Sequence, residues 1–339
     1  MLTPAVEALP KGKGPKGRDW AGIYPATIVP FKDKTCREVD EEAYRVLLRD
    51  ILKAGVTGID PNEAEGLSVK ETIRLMEIAR EESGGRIPIS GKVEARCERW
   101  IWNLVEEAKP IVGAGADYLY IHPTVEIDNF DEYVNLFKMF DRKVGVPFMV
   151  SMSAGRVPVP VMKRIALECE NLAAFKSNFN YNIWIAKHLF AALKEAEAET
   201  GRHVCPLSAG DHGLAEALIN GAEGNFNGGA SWRAKEDVAI YKAVKAGDYN
   251  KAFAIQNKIQ PATDAVRGMF GANIRSYGYF TFRYKLVCWM LGKVPNPYSR
   301  LPRMPLVEEA LLLRNALLQS GLEVVKTEAE CRKLEMSEY

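Results

Sequence analysis

Short apolar runs alternate with helical stretches along most of this chain, and this alternation constrains its fold more than any other feature. Each run is short enough for a buried strand, and the residues after it have the spacing of an amphipathic helix. The predicted strands cover residues 22–28, 57–60, 87–90, 118–122, 147–152, 172–176, 203–208 and 224–227. Consecutive βα units over about 225 residues predict an α/β fold, a closed (β/α)8 TIM barrel.

An open, doubly wound sheet is the main alternative to the barrel. That fold usually binds a nucleotide through a glycine-rich loop after an early strand. The chain contains neither GxGxxG nor GxxxxGK[ST], which favours the closed barrel. Further predicted helices, with no strand between them, cover residues 249–270, 279–291 and 306–320. We therefore divide the chain into a flexible N-terminal arm (1–20), the barrel (21–246) and a helical C-terminal extension (247–339).

Charge and cysteine content argue against several classes of partner. With 45 Lys and Arg against 44 Asp and Glu, the formal net charge is +1, whereas a nucleic-acid footprint usually needs a basic excess. No stretch reaches 18 uninterrupted apolar residues, and the N-terminus lacks the apolar segment of a secretory signal. The 6 cysteines are scattered, and no His, Cys or carboxylate cluster has metal-ligand spacing. We expect a cytoplasmic protein with free thiols, no metal or other cofactor, and neither nucleic acid nor membrane as a partner.

Lys176 is the strongest candidate for chemistry. In a TIM barrel the C-terminal ends of the strands carry the active site, and Lys176 closes the apolar run 172–175. Burial of an amine favours its neutral form, which is the nucleophile that forms a Schiff base with a carbonyl substrate. The alternative is a structural lysine that reaches the rim or pairs with a carboxylate.

Five segments of the chain match one enzyme family in order and spacing. They are GIYPATIVPF at 22–31, LSVKE at 67–71, GAGAD at 113–117, AAFK at 173–176 and the stretch 208–226. Together they resemble the dihydrodipicolinate synthase / N-acetylneuraminate lyase family of class I, Schiff-base aldolases and lyases. The resemblance extends over about residues 20–322 and identifies Lys176 as the Schiff-base lysine.

The resemblance implies a reaction and an assembly. In this family the lysine condenses with the keto group of pyruvate or another 2-keto acid, and the imine acts as an electron sink for making or breaking a carbon–carbon bond. The expected partners are a small-molecule carbonyl substrate and further copies of the chain, in a homotetramer built as a dimer of dimers. Some members run dehydration or hydration on the same imine, so an imine-dependent hydratase or dehydratase is a second hypothesis.

The chain departs from the family at the turn after the second predicted strand. The family usually has Gly-[Ser/Thr]-Thr-Gly-Glu there, whose hydroxyls and amides bind the keto-acid carboxylate, whereas this chain has IDPNE at 59–63. Both hydroxyl residues are absent, and the proline removes an N–H donor. We predict that Asp60, Asn62 and Glu63 contact the substrate; a shifted alignment would place Glu65 at the family glutamate.

The second departure concerns the proton relay. The family's tyrosine, in a Tyr-Asn-x-Pro motif, aligns with Ser151, whose hydroxyl is a poorer acid than a phenol. His122 ends the fourth predicted strand and can titrate near neutrality, so it is the best candidate to carry the proton. Asp211, His212 and Glu94 are the alternatives, and each has an ordinary structural role open to it. The predicted catalytic residues are His122, Ser151 and Lys176.

The remaining predicted substrate contacts are one arginine and two strand ends. Arg156 lies where the family's synthases bind the carboxylate of a second substrate, and a salt bridge at the rim is its alternative. Ser208 and Asn227 end the last two predicted strands. Because the carboxylate turn and the tyrosine are both replaced, a third hypothesis is a catalytically retired barrel with a binding role. We favour the lyase over the other two hypotheses.

Overall fold

Seven parallel strands form a single sheet that is rolled into a barrel. The computed structural model describes residues 14–61, 66–95, 100–123, 129–152, 157–177, 183–267, 278–300 and 307–334. Its strands are β1 (Gly22–Pro25), β2 (Ser90–Ala95), β3 (Tyr118–Pro123), β4 (Phe148–Met152), β5 (Leu172–Ser177), β6 (Cys205–Ser208) and β7 (Gly224–Asn227). They are ordered β1-β7-β6-β5-β4-β3-β2, so from β2 to β7 each strand lies beside its neighbour in the chain, and β1 lies beside β7.

The segment 57–60 closes the ring between β1 and β2. It has bridges rather than a full strand: Asp60 pairs with Ala26 and Ile59 pairs with Ile89. The Asp60 amide donates to the Pro25 carbonyl at 2.9 Å, and the Ser90 amide donates to the Ile59 carbonyl at 2.9 Å. The predicted second strand therefore occupies its expected place but is shorter than predicted, and the (β/α)8 barrel is confirmed.

Polar caps set where the first helices begin. The Asp40 carboxylate accepts from the Ala43 amide at the start of α1, and Ser68 and Glu71 form a capping box at the start of α2. The barrel helices are α1 (Glu41–Lys53), α2 (Val69–Ser83), α3 (Trp100–Gly113), α4 (Phe130–Val144), α5 (Val159–Glu168), α6 (Ile183–Thr200), α7 (Leu214–Ile219) and α8 (Ala230–Lys245).

Strand residues alternate between two packed layers. Ile121, Val150 and Phe175 are level with one another across β3, β4 and β5 and pack in the layer between the sheet and the helices. Their neighbours along each strand point into the barrel, because successive side chains of a strand lie on opposite faces. This alternation decides which residues at the strand ends reach a site inside the barrel.

Aromatic rings fill the lower part of the barrel interior. Trp20 and Tyr118 meet edge to face at 5.5 Å between centroids, and Phe226 stacks on Tyr24 at 6.1 Å and on Tyr120 at 4.5 Å. Trp20, the last residue of the predicted arm, is buried where the chain enters β1. Residues 1–13 of that arm lie outside the described residues.

Helices follow the barrel to the end of the described chain. They are α9 (Tyr249–Arg267), α10 (Gly278–Met290), α11 (Val307–Gln319) and the short α12 (Glu328–Arg332), which was not predicted from the sequence. Helix α9 packs on both α8 and α11, which joins the extension to the barrel wall. Among the helices that the structure describes, none has both the length and the apolar character to cross a membrane.

Candidate active site

Lys176 enters the barrel interior from the C-terminal half of β5. Its side chain is 8% exposed. The Nζ atom lies 4.7 Å from the centroid of the Phe226 ring and 5.0 Å from that of Tyr120. These two rings, which stack on each other, form an aromatic floor beneath the amine. The negative faces of such rings attract a cation on the nitrogen.

Two further polar side chains share the interior face with Lys176. Ser151 is level with Lys176 in the β4–β5 register, and Lys92 is level with Tyr120 in the β2–β3 register. In a parallel pair, residues that are level with each other point to the same side of the sheet. Ser151 is half-buried, and Lys92 is 8% exposed. The structure therefore brings the predicted Ser151 to the side of Lys176, and Lys92 is a second buried lysine on the interior side.

Asp60 places a carboxylate deep in the barrel wall. It is fully buried, and its Oδ1 accepts a hydrogen bond of 2.6 Å from the Ser90 hydroxyl. Burial and, second, the charge of Asp60 raise the pKa of the Tyr118 phenol well above its usual value. The Thr27 hydroxyl shares a 2.8 Å hydrogen bond with the phenol of Tyr44, and the Thr27 amide donates to the Asp60 carbonyl. Asp60 is thus held by the barrel wall at the position where the family has a hydroxyl residue.

Three charged side chains that the structure describes lie on the interior side of the barrel wall. Two amines, Lys92 and Lys176, face the interior together with one carboxylate, Asp60. A charge in a low-dielectric interior is stabilised by an opposite charge.

Ser208 and Asn227 lie on the other face of their strands. Ser208 follows Leu207, which is level with Lys176, and Asn227 follows Phe226, whose ring touches the amine. The Asn227 amide oxygen accepts from the Ala230 amide at the start of α8. The structure does not bring these two residues together with Lys176, because side chains alternate and a position at a strand end does not specify a face. Their predicted contact with substrate gains no support from this geometry.

Four other predicted site residues are only partly covered by the structure. Asn62, Glu63 and Arg156 lie outside the described residues. The backbone of His122 lies in β3 opposite Glu94 of β2, and the structure does not describe either side chain. The roles predicted for these residues stay predictions.

Asp211 belongs to a buried ionic network beneath the C-terminal helices. It accepts from the Tyr284 phenol at 2.6 Å and pairs with Arg267 at 3.0 Å, while Arg233 donates to its backbone carbonyl. Burial alone would raise the pKa of Asp211, but Arg267 and Arg233 outweigh it and lower the pKa. A carboxyl held in its charged form by two arginines links the barrel to α9 and α10. His212, the neighbouring alternative for the relay, pairs with Asp264 at 2.8 Å.

Sequence reasoning missed the two aromatic residues of the floor. Tyr118, Tyr120 and His122 occupy alternate positions of one predicted strand, which assigns them to one face. The alternation along this strand could therefore have predicted that Tyr120 faces the barrel interior. Phe226 lies among glycines and asparagines, and only the closure of β7 against β1 brings it beneath Lys176.

Comparisons with known proteins agree with this architecture. The family model described as the dihydrodipicolinate synthetase family matches residues 19–320. A relative from Pyrobaculum arsenaticum, named an uncharacterized DapA-like lyase, is 26% identical over 301 residues, which are 85% of this chain and 93% of that protein. A 4-hydroxy-tetrahydrodipicolinate synthase from Nitrobacter hamburgensis is 26% identical over 317 residues, which are 89% and 97% of the two proteins. Dihydrodipicolinate synthase from Aquifex aeolicus has the same fold, with a TM-score of 0.76, 22% identity and coverage of 91% of this chain and 100% of that one.

Proposed function

Since the chain belongs to the dihydrodipicolinate synthetase family, we propose that it is a class I Schiff-base lyase of the aldolase type. Its substrate is a 2-keto acid resembling pyruvate, or a related carbonyl compound, and it cleaves or forms a carbon–carbon bond. The observation that carries this proposal is Lys176, a buried amine on a barrel strand whose Nζ lies over two aromatic faces.

The aromatic floor supports the charged intermediate of this reaction. The Lys176 amine attacks the keto carbon, the carbonyl oxygen leaves as water after protonation, and a cationic C=N bond remains. When the bond between the α- and β-carbons of the imine breaks, its electron pair forms a C=C bond to the former imine carbon. The π pair of the C=N bond moves to the nitrogen, which leaves a neutral enamine. The faces of Tyr120 and Phe226 stabilise the cation by about 0.5–2 kcal/mol. A protonated amine cannot attack a carbonyl, so a base must remove one proton before the attack.

Proton transfer must use residues other than the family's tyrosine, whose position is taken by Ser151. Ser151 lies beside Lys176 on the adjacent strand and can bind the hydroxyl or water that enters or leaves the reacting carbon. His122 carries the proton, since an imidazole can both accept and donate one near neutral pH. The acid group of the substrate contacts Lys92 and Arg156, whereas Asp60, Asn62 and Glu63 contact its other polar groups.

An imine-dependent hydratase or dehydratase is the second candidate. The observation that favours it is Ser151, because the position beside the lysine has no phenol to relay protons to a departing carbon fragment. Product analysis separates the two reactions: a lyase yields two fragments, and a hydratase changes the substrate by one water. A catalytically retired barrel would instead show ligand-dependent thermal shifts with no turnover.

The proposed subunit assembly and cellular location are those expected for a member of this family. We expect a cytoplasmic homotetramer, a dimer of dimers, with a small-molecule substrate and with neither nucleic acid nor membrane as a partner. Size-exclusion chromatography with light scattering measures the number of subunits directly.

Borohydride trapping tests the Schiff base. The wild-type protein is incubated with pyruvate, or with another 2-keto acid, and reduced; a mass increase should appear in the peptide that contains Lys176. Lys176→Ala should give no adduct. Lys285→Met is the matched control, because Lys285 is a lysine of similar burial outside the barrel whose Nζ donates to the Tyr298 carbonyl. An unmodified wild-type protein across a panel of 2-keto acids and aldehydes would rule the proposal out.

A further inference from the structure

A second cluster of reactive side chains lies at the opposite end of the barrel from Lys176. His203 precedes β6, Cys205 is the first residue of β6, and Glu223 directly precedes β7. One potential ligand atom from each lies within 4.8 Å of the other two. The spacing along the chain gave no sign of this group, because Glu223 is brought to the other two only by the pairing of β6 with β7.

The spacing of these atoms suits a tetrahedral metal ion. The His203 Nε2 atom lies 3.0 Å from a Glu223 oxygen. Nitrogen and oxygen ligands about 2.0–2.1 Å from a zinc ion lie roughly 3.3 Å apart at a tetrahedral angle, and a thiolate sulfur at about 2.3 Å lies roughly 3.6 Å from the nitrogen. A small movement of the Glu223 side chain therefore opens the space that the ion needs.

The carboxylate of Glu197 orients the His203 ring through the nitrogen that does not face Glu223. Glu197, near the end of α6, contacts His203 Nδ1 at 2.9 Å. Metal-binding histidines usually donate their other ring N–H to a carboxylate, which fixes the tautomer and turns the remaining nitrogen toward the metal. In His203 that remaining nitrogen is Nε2, the atom directed at Glu223.

Burial and charge are also matched to a divalent ion. Cys205 is fully buried and His203 is 7% exposed, whereas the side chains of Glu223 and Glu197 are 15% and 20% exposed. An ion can therefore enter from the carboxylate side. The Cys205 thiolate and the Glu223 carboxylate cancel the two positive charges of the ion, and the remaining negative charge is on Glu197, which is 20% exposed.

We propose that His203, Cys205 and Glu223 bind one Zn²⁺ ion, with Glu197 orienting His203 and a water molecule completing the tetrahedron. Mixed nitrogen, sulfur and oxygen ligands favour zinc over calcium or magnesium, which prefer oxygen alone. On binding, the Cys205 thiol releases its proton to solvent and the sulfur bonds to the metal. The ion joins the starts of β6 and β7, at the N-terminal ends of the strands, so its role is structural.

The competing occupant is a proton. Burial alone would lower the pKa of His203, but the hydrogen bonds and charges of Glu223 and then of Glu197 outweigh it and raise the pKa. The alternative outcome is therefore an imidazolium between two carboxylates that takes up no metal.

Metal content and the spectrum of the cobalt form test the proposal. Full-length protein freed of metal with a chelator is mixed with Zn²⁺ or Co²⁺ at neutral pH, desalted, and analysed for bound metal. The expected result is one metal ion per chain and, for Co²⁺, a sulfur-to-metal charge-transfer band. Cys205→Ser should lose that band, and Glu197→Gln should bind Zn²⁺ about 10–100-fold more weakly.

Cys169→Ser is the matched control, because Cys169 is a buried cysteine that begins the connection from α5 to β5. It should retain the metal and the charge-transfer band, and circular dichroism should show that all variants are folded. The proposal is overturned if the wild-type protein retains no metal, if the cobalt form lacks the thiolate band, or if Cys205→Ser binds as the wild type does. None of these measurements depends on catalysis. They therefore test the zinc site even if the lyase proposal is wrong.

Discussion

At the scale of single residues, the surroundings of Lys176 determine what the amine can do. A lysine that reached the rim would contact solvent and carboxylates, but Nζ here lies over the faces of Tyr120 and Phe226. The rings hold a positive charge in place without neutralising it. A cationic imine on this nitrogen therefore keeps its power to withdraw electrons from the substrate.

The aromatic floor can be tested at Tyr120. Tyr120→Leu should lower kcat/KM about tenfold, because about 1.4 kcal/mol of cation stabilisation is lost in the iminium. Tyr120→Phe keeps the ring and should stay close to the wild type in steady-state kinetics. Phe137→Leu is the control for a lost ring in the layer outside the sheet. If Tyr120→Phe is as slow as Tyr120→Leu, the hydroxyl rather than the ring face is what matters.

At the scale of elements, the start of α2 is attached to the C-terminal part of the chain. Glu71 closes the capping box with the Ser68 amide at 2.9 Å and also accepts from both terminal nitrogens of Arg300, at 2.7 and 3.1 Å. The hydrogen bond from Arg300 contributes most to lowering the pKa of Glu71 to about 2. One carboxylate therefore both caps a helix and connects two distant segments.

The pH dependence of unfolding tests Glu71. Its folded pKa lies below the unfolded value of about 4.3, so its contribution is fully present above that value and is lost as the pH falls toward 2. Glu71→Gln should therefore lower the free energy of unfolding by about 1–2 kcal/mol at pH 7 and by much less near pH 2. Glu77→Gln, which removes an exposed partner of Arg74, is the control. Urea titrations at both pH values measure the difference, and an equal loss at both would contradict this role.

At the scale of the whole molecule, the barrel closes where two glycines meet. Gly22 of β1 is level with Gly224 of β7. A Cβ atom on Gly224 would lie 1.9 Å from the Gly22 carbonyl oxygen, which is far inside a normal contact. Strands β1 and β7 can approach this closely only because Gly224 has no side chain.

Gly224→Ala should therefore impair closure of the barrel. We expect the free energy of unfolding to fall by about 3 kcal/mol or more, because backbone must move to relieve the clash. Gly113→Ala is the control: a Cβ at Gly113 would have no heavy atom within 4 Å, so the change should stay within about 0.5 kcal/mol. Chemical denaturation of the two variants measures both values. If Gly224→Ala and Gly113→Ala had equal stability, the backbone between β1 and β7 could move apart without cost.

Local patterns made much of the fold predictable. The capping box at Ser68 and the apolar run that ends at Lys176 are each formed by residues that are close together in the chain, so the sequence shows them directly. The order of the motifs identified the family, and the family match over residues 19–320 confirms it. The second strand was predicted too long, because its residues 57–60 hydrogen-bond to both neighbours only at isolated bridges.

The sequence by itself determined the barrel and its lysine, because strand and helix periodicity and the AAFK segment are properties of neighbouring residues. Only the tertiary structure decided which side chains accompany that lysine. It brought Phe226 beneath the amine, turned Asn227 toward α8, and carried Glu223 to His203 and Cys205. The physical reason is that closure of the sheet sets the distances between residues far apart in the chain, and alternation along each strand sends neighbouring residues to opposite faces.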